Sequence, residues 1–380
     1  MINKRGLGTV GDRADHTGTV LRVDLTGIVA NWRTLAVRVA PADCAAVVKA
    51  DAYGLGASQV SAALAAAGCR LFFVATLDEG IALRSTLPAS CQIAVLNGPF
   101  PGSAEEFVFH GLIPVLNEPG QIADWAEIAR RHGGLEAMLH VDSGMARLGL
   151  TTREFATLAA ELSHESATRW CGLISHLACA DQPSHPLNGL QRERFASMCR
   201  RFGGLPASLA ASSGIFLGRE FHFDFVRPGA ALYGINPQPG TLNPMRQVIR
   251  LKARILQVRE VERAASVGYG AAHVMEHPAR LATVAIGYAN GWLRSFSHRG
   301  SGRIGGKRLP LLGRVSMDLA VFDVSAADPS LARPGGFIEL LDDDYGVDAA
   351  AADAGTIGYE IMTALGQCCH RVYRGEPDRC

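Results

Sequence analysis

From residue 45 to about 230 the chain alternates short, continuous apolar runs with segments of helical spacing. The runs are AAVVKA (45–50), LFFVAT (71–76), QIAVLN (92–97), LIPVLN (112–117), AMLHVD (137–142), GLISHL (172–177), SLAAS (208–212) and FDFVRPG (223–229). Runs without polar alternation are what strands buried on both faces look like. Between them, SQVSAALAAAG and GQIADWAEIARRHGG carry helical periodicity and stop at glycine. Eight such units predict an α/β fold of the (β/α)8 barrel type. An open doubly wound sheet is the alternative; the count of eight, and the lack of a G-x-G-x-x-G after the first run, favour the barrel.

The pattern changes at INPQPGTLNPMR (235–246), a Pro- and Asn-rich stretch that reads as a linker. Beyond it, VIRLKARILQVREV, ARLATVAIGYA and RLPLLGRVSMDLAVFDV are β-branched runs broken by Gly and Pro. We expect a barrel over 17–243 and a mainly β C-terminal domain over 244–380, preceded by a polar segment over 1–16. The tail AAADAGTIGYEIMTALG is expected to add one short helix.

Composition narrows the class. A formal net charge of +1 gives no electrostatic case for nucleic acid or an anionic membrane. There is no apolar leader in the first twenty residues and no run long enough to span a bilayer. Nine scattered cysteines without a C-x-x-C pair fit reduced thiols in a cytoplasmic protein, with no metal site expected. Among 37 basic residues only four are lysines, at 4, 49, 252 and 307. Lys49 closes the first apolar run. A lysine at a barrel strand end can be desolvated, which disfavours its ammonium form and makes the amine a better nucleophile towards aldehydes. By itself such a lysine would as readily snorkel to water.

The surrounding motifs change that balance. VVKADAYGLG, HVDSGMARLGL, LISHLACAD, FVRPGAALYG, VGYG, AIGYANGW, GRVSMD and TIGYE follow one another over residues 47–360. Together they resemble the alanine racemase family, whose fold is a barrel binding pyridoxal 5'-phosphate followed by a β domain. The resemblance implies a cytoplasmic isomerase that interconverts L- and D-alanine by a two-base mechanism, supplies D-alanine for peptidoglycan, and works as a homodimer with composite sites. Under it, Lys49 matches the Schiff-base lysine and the base on one face of the substrate, and Tyr269 the base on the opposite face, from the partner subunit. A phenol is a poor base at neutral pH unless positive neighbours favour its phenolate.

The remaining positions follow the same correspondence. Arg227 matches the arginine facing the pyridine nitrogen, and His176 the histidine stacked on the ring. Tyr53, Ser212, Gly229, Ala230 and Tyr359 match the phosphate cradle, with Ser213 an alternative to Ser212 because SLAASSGIF departs from the family's Asn-Ser. Arg147 matches the arginine near the cofactor's phenolic oxygen and the substrate carboxylate, the Met317 N–H a carboxylate contact made from the other subunit, and Asp318 a group beside it that orients partner-chain groups. Asp181, Tyr288, Arg294 and Arg314 match residues lining the access corridor.

Two positions depart from the family. His140 stands where many members carry a lysine modified by carbon dioxide, so Arg147 must be held in another way: by neutral His140, a chloride or water. Asn290 replaces an acid in GYANG. A broader alanine/serine racemase, a non-catalytic cofactor-homeostasis barrel and a fold-related decarboxylase are the competing functional readings.

Overall fold

The computed structural model describes residues 16–161, 167–366 and 368–375. It divides into two compact units, Leu25–Arg246 and a second made of the residues through Asp24 with Gln247–Gly375.

The first unit contains all eight expected strands, each inside or beside its apolar run: Ala46–Val47, Leu71–Val74, Gln92–Val95, Ile113–Leu116, Leu135–His140, Thr168–Ile174, Ala207–Ser208 and Phe225–Val226. The first seven pair in chain order, all parallel. The last closes the circle. On one side Ala45 N–H donates to Val226 O (3.0 Å) and Val47 N–H to Pro228 O (2.9 Å); on the other, Asp224 N–H donates to Ala207 O (3.0 Å) and Arg227 N–H to Ala210 O (2.9 Å). An open sheet has no such closure, so the doubly wound alternative is excluded.

The absence of polar alternation has its reason here. Val47, Phe73, Ala94, Val115, Met138, Ile174 and Phe225 form one buried cluster inside the ring. Leu139, Val141 and Leu173 form another with the helix residues Phe155, Phe195 and Met198. Adjacent residues such as Met138 and Leu139 point to opposite faces, and both faces are buried. The helices start where local chemistry dictates. Thr76 and Glu79 form a capping box ahead of Leu77–Arg84, while Glu118 and His185 cap helices that begin with Pro119 and Pro186.

The second unit is mainly antiparallel. Ala279–Val284, Ala320–Asp323, Lys307–Leu312, Ser301–Ile304, Phe337–Leu341 and Ile249–Val261 pair in that order. The long strand Ile249–Val261 pairs with Phe337–Leu341 through its first half and with Ala279–Val284 through its second. A register shift between Ile255 and Gln257 marks the place where it bends to close the ring.

Two expectations need correction. The barrel was expected from residue 17, yet Thr19–Asp24 is a strand of the second unit, antiparallel to Ile249–Val261 and parallel to His370–Arg374. Its partners lie more than 200 residues away, which local periodicity does not register. The tail carries two helices rather than one, Val347–Ala354 and Gly358–Leu365, because Gly355 in the left-handed region ends the first.

Candidate active site

The residues expected to carry chemistry sit just past the C-terminal ends of the barrel strands. Lys49 follows Ala46–Val47 and opens a rare backbone turn. Ala50, Asp51, Ala52 and Tyr53 all have φ between 53° and 57°. Left-handed geometry costs L-residues roughly 1–2 kcal/mol each, so this turn persists only because it is clamped. Gly54 N–H donates to Ala50 O (2.8 Å), Gly56 N–H to Asp51 O (2.9 Å) and Ala57 N–H to Asp51 Oδ1 (2.8 Å). Burial, followed by repulsion from Arg147, lowers the Lys49 ammonium pKa, and Glu79 partly opposes this. The result favours a free amine.

The turn delivers Tyr53 to Gly229. A side-chain carbon at Gly229 would lie 2.4 Å from Tyr53 Oη, so only glycine fits. Ser212 Oγ accepts from Gly229 N–H (3.0 Å) and Ala231 N–H (3.1 Å). With both acceptor sites used, its own proton is left to donate to an anion. Ser212 rather than Ser213 is thus the serine held against this loop. A phenol, a hydroxyl and a glycine-lined backbone suit a phosphate.

Arg227 is buried and donates to Ser208 O (2.8 Å), Ser208 Oγ (2.6 Å) and Ser175 O (2.5 Å). Among the described residues no carboxylate pairs with it. Burial brings its pKa down to about 10, so it stays cationic at neutral pH. A buried cation without a counter-anion suits a site that receives a cofactor with a polar ring.

His140, Asp142, Arg147, Ser175 and His176 line one shallow recess. Arg147 sits on a loop built by Asp142, whose carboxylate accepts from Gly144 N–H (2.8 Å), Met145 N–H (2.7 Å) and Ala146 N–H (2.9 Å). The loop then returns to the strand: Leu150 N–H donates to His140 O, 2.9 Å, and Asp142 N–H to Leu150 O, 2.8 Å. Gly149, at φ 102°, allows that approach. Gln191 donates to His176 O (2.9 Å) and accepts from Ala178 N–H (2.9 Å), fixing the loop that carries His176. Burial, then the Arg227 and Arg147 charges, push both His140 and His176 down to about 3. Both are therefore neutral.

The tautomer of His140 follows from Asn117. The Asn117 amide nitrogen donates to Leu96 O (2.9 Å) and Val115 O (2.8 Å), which turns its Oδ1 towards His140 Nδ1 at 2.8 Å. Nδ1 carries the proton and Nε2 is left as an acceptor.

The other candidates belong to the second unit. Tyr269 is 72% exposed, beyond the strand Ser266–Val267 and ahead of His273–Val274. It is no core aromatic. Arg314 Nη1 lies 3.0 Å from where a side-chain carbon at Gly270 would be, which brings this guanidinium to the Tyr269 turn. Tyr288 N–H donates to Ser316 O (3.0 Å) and Ala289 N–H to Met317 O (2.8 Å), so the Tyr288 turn and the Met317–Asp318 loop are joined. Met317, Asp318, Tyr359 and Arg294 are exposed, as is Asp181 in the first unit. Asn290 accepts from Gly287 N–H (3.0 Å), closing its own turn without needing a charge.

Residues 23–237 match the alanine racemase N-terminal domain and residues 248–373 the alanine racemase C-terminal domain. The chain belongs to the alanine racemase family. An alanine racemase of Rhodospirillum rubrum is 51% identical over 95% of this chain and 97% of its own length. A protein of Mesorhizobium japonicum named as a catabolic alanine racemase is 47% identical, with 94% of each chain covered. Among solved structures, the Bartonella henselae alanine racemase with covalently bound pyridoxal phosphate superposes with a TM-score of 0.90 at 38% identity, covering 94% of this chain and 100% of that one.

Five residues that support the alanine racemase motifs escaped the sequence reading: Glu79, Asn117, Asp142, Gln191 and Ser208. Of these only Glu79 carried a readable signal, the T-x-x-E capping box. Asn117 and Ser208 act between strand ends and Gln191 from a helix, contacts that no spacing rule connects, while Asp142 braces its own loop locally.

Proposed function

We propose that this chain is a cytoplasmic pyridoxal-phosphate-dependent alanine racemase that works as a homodimer and supplies D-alanine for peptidoglycan. The observation that carries the reading is Lys49: a desolvated amine held beside the Tyr53–Ser212–Gly229 cradle, with a carboxylate-free buried arginine in the same barrel mouth. Membership of the family supports it, and among the described residues no helix is long and apolar enough to cross a membrane. A C-terminal domain match over 248–373 disfavours the barrel-only homeostasis reading.

Bound pyridoxal phosphate supplies an electron-withdrawing ring that acidifies the substrate Cα–H. The protein does the rest. Lys49 would attach the cofactor, with Tyr53, Ser212, Gly229 and Ala230 holding its phosphate. Arg227 would face the ring nitrogen as a donor that does not release its proton, and neutral His176 would flank the ring. Arg147 and the Met317 N–H of a second copy would hold the substrate carboxylate, with Asp318 of that copy orienting. The amine of Lys49 takes or returns the Cα proton on one face, and Tyr269 of a second copy serves the other. Two fixed bases on opposite faces let configuration invert without either moving. Asp181, Tyr288, Arg294 and Arg314 would line the path inwards.

The test mixes Lys49→Ala and Tyr269→Ala chains, each inactive alone. Subunit exchange should restore alanine racemisation, because a mixed dimer holds one intact site. Exchange shown by native mass spectrometry without recovered activity would refute the shared site. Serine and larger amino acids assayed alongside define the side-chain range.

A further inference from the structure

We propose that Glu79 is a positioning residue for Lys49, a carboxylate that reaches out of its own helix to clamp the amide directly after the reactive lysine. The inference rests on the role of Lys49 given above and goes beyond it.

In an ordinary capping box the glutamate turns back only to its own N-cap. Glu79 does this, with Oε2 accepting from Thr76 N–H (3.3 Å) and Ala75 N–H (2.7 Å), while Thr76 Oγ1 accepts from Glu79 N–H (3.4 Å). Its second oxygen does something else. Oε1 crosses to the neighbouring strand end and accepts from Ala50 N–H at 2.6 Å. Ala50 is the first of the four left-handed residues and is joined to Lys49 by that peptide. Other hydrogen bonds of the turn act elsewhere: Ala52 N–H donates to Val48 O (2.9 Å) across Lys49, and further bonds lie at Gly54, Gly56 and Ala57, whereas the Glu79 bond is made to the peptide that joins Lys49 to Ala50. Glu79 therefore fixes the peptide plane from which the Lys49 side chain departs.

Charge adds a second effect. Arg147 on its loop opposes protonation of Lys49 and Glu79 favours it. Neutral His176 also stands near the lysine, and Asp51 and Tyr53 share its turn. A charge-assisted N–H to carboxylate bond is stronger than a neutral one, so a glutamine at 79 weakens the clamp and removes the anion at almost constant shape.

The experiment uses full-length wild type, Glu79→Gln and Thr76→Ala. Each is incubated with pyridoxal phosphate across pH 6–10 and reduced with borohydride. The Lys49 amine condenses with the aldehyde, losing water, and hydride from borohydride fixes the bond; peptide mass spectrometry reads the yield at Lys49. With the anion gone, the pH midpoint for trapping should fall by about half a unit or more in Glu79→Gln, roughly a three-fold gain in free amine. Thr76→Ala loses half the capping box yet keeps the Ala50 contact, and its midpoint should match wild type. In the racemase assay, kcat of Glu79→Gln should fall about ten-fold with KM within about three-fold, because the amine is misdirected rather than substrate lost. Glu79→Ala replaces the glutamine variant if the latter does not accumulate. A wild-type midpoint in the Glu79 variant overturns the inference, whatever happens to its stability. If wild type fails to racemise alanine but the midpoint still shifts, the functional reading falls and the positioning role of Glu79 stands.

Discussion

His140 couples the barrel mouth to pH. It is 8% exposed, and burial followed by the Arg227 and Arg147 charges pushes its pKa down to about 3. In the unfolded chain a histidine titrates near 6.5. Between these values the unfolded state binds the extra proton, so stability is full above about pH 6.5 and is lost as pH falls towards 3. Each pH unit in that window is worth about 1.4 kcal/mol, so at pH 4.5 this one ring costs about 3 kcal/mol. Glutamine at 140 keeps an N–H for Asn117 Oδ1, the present partner at 2.8 Å, and does not titrate. Urea unfolding followed by circular dichroism at pH 4.5–7.5 should therefore show wild type losing stability more steeply than His140→Gln, by about 1.4 kcal/mol per pH unit below 6.5. His176 is present in both proteins, and its coulombic coupling to His140 is lost together with the His140 ring in the variant. Parallel pH dependences would show that His140 protonates in the folded state at an ordinary pH, and would refute the neutral tautomer that leaves Nε2 as an acceptor.

Ala50→Gly should relieve left-handed strain at an exposed site; after the entropy of glycine, a net gain of about 0.5–1 kcal/mol should raise the unfolding midpoint by 1–3 °C or so, and a lowered midpoint would contradict the strained turn. Gly229→Ala places a methyl 2.4 Å from Tyr53 Oη, and equilibrium dialysis should show pyridoxal phosphate affinity reduced about ten-fold or more, near 1.4 kcal/mol. Asp142→Ala frees the Gly144, Met145 and Ala146 amides and should raise KM for alanine more than it lowers kcat, since Arg147 loses its brace; the reverse split would assign that loop another role. Ser208→Ala removes an acceptor 2.6 Å from the buried Arg227 and should destabilise the protein by about 1.5–3 kcal/mol, read by urea unfolding at neutral pH.

Much of this protein is written locally. Eight continuous apolar runs specify eight strands buried on both faces, since each buries one residue in the ring and the next beneath a helix, as Met138 and Leu139 do. The lysine after the first run, the R-P-G after the eighth and the ordered motifs between them mark the barrel mouth and the family. Local pattern does not place Thr19–Asp24, which leaves the barrel for partners at Ile249–Val261 and His370–Arg374. Nor does it show that the peptide after Lys49 turns left-handed, that Glu79 reaches across from another strand end to hold it, or that Asn117 settles the His140 tautomer. Periodicity reports which face of an element is buried, and that is a property of neighbours in sequence. Hydrogen bonds between strand ends depend on closure of the ring, which brings residues 23 to 52 positions apart within 3 Å of one another. The sequence determined which chemistry the barrel mouth holds, and only the closed tertiary structure decided how the lysine, the arginines and the histidines are aimed and charged.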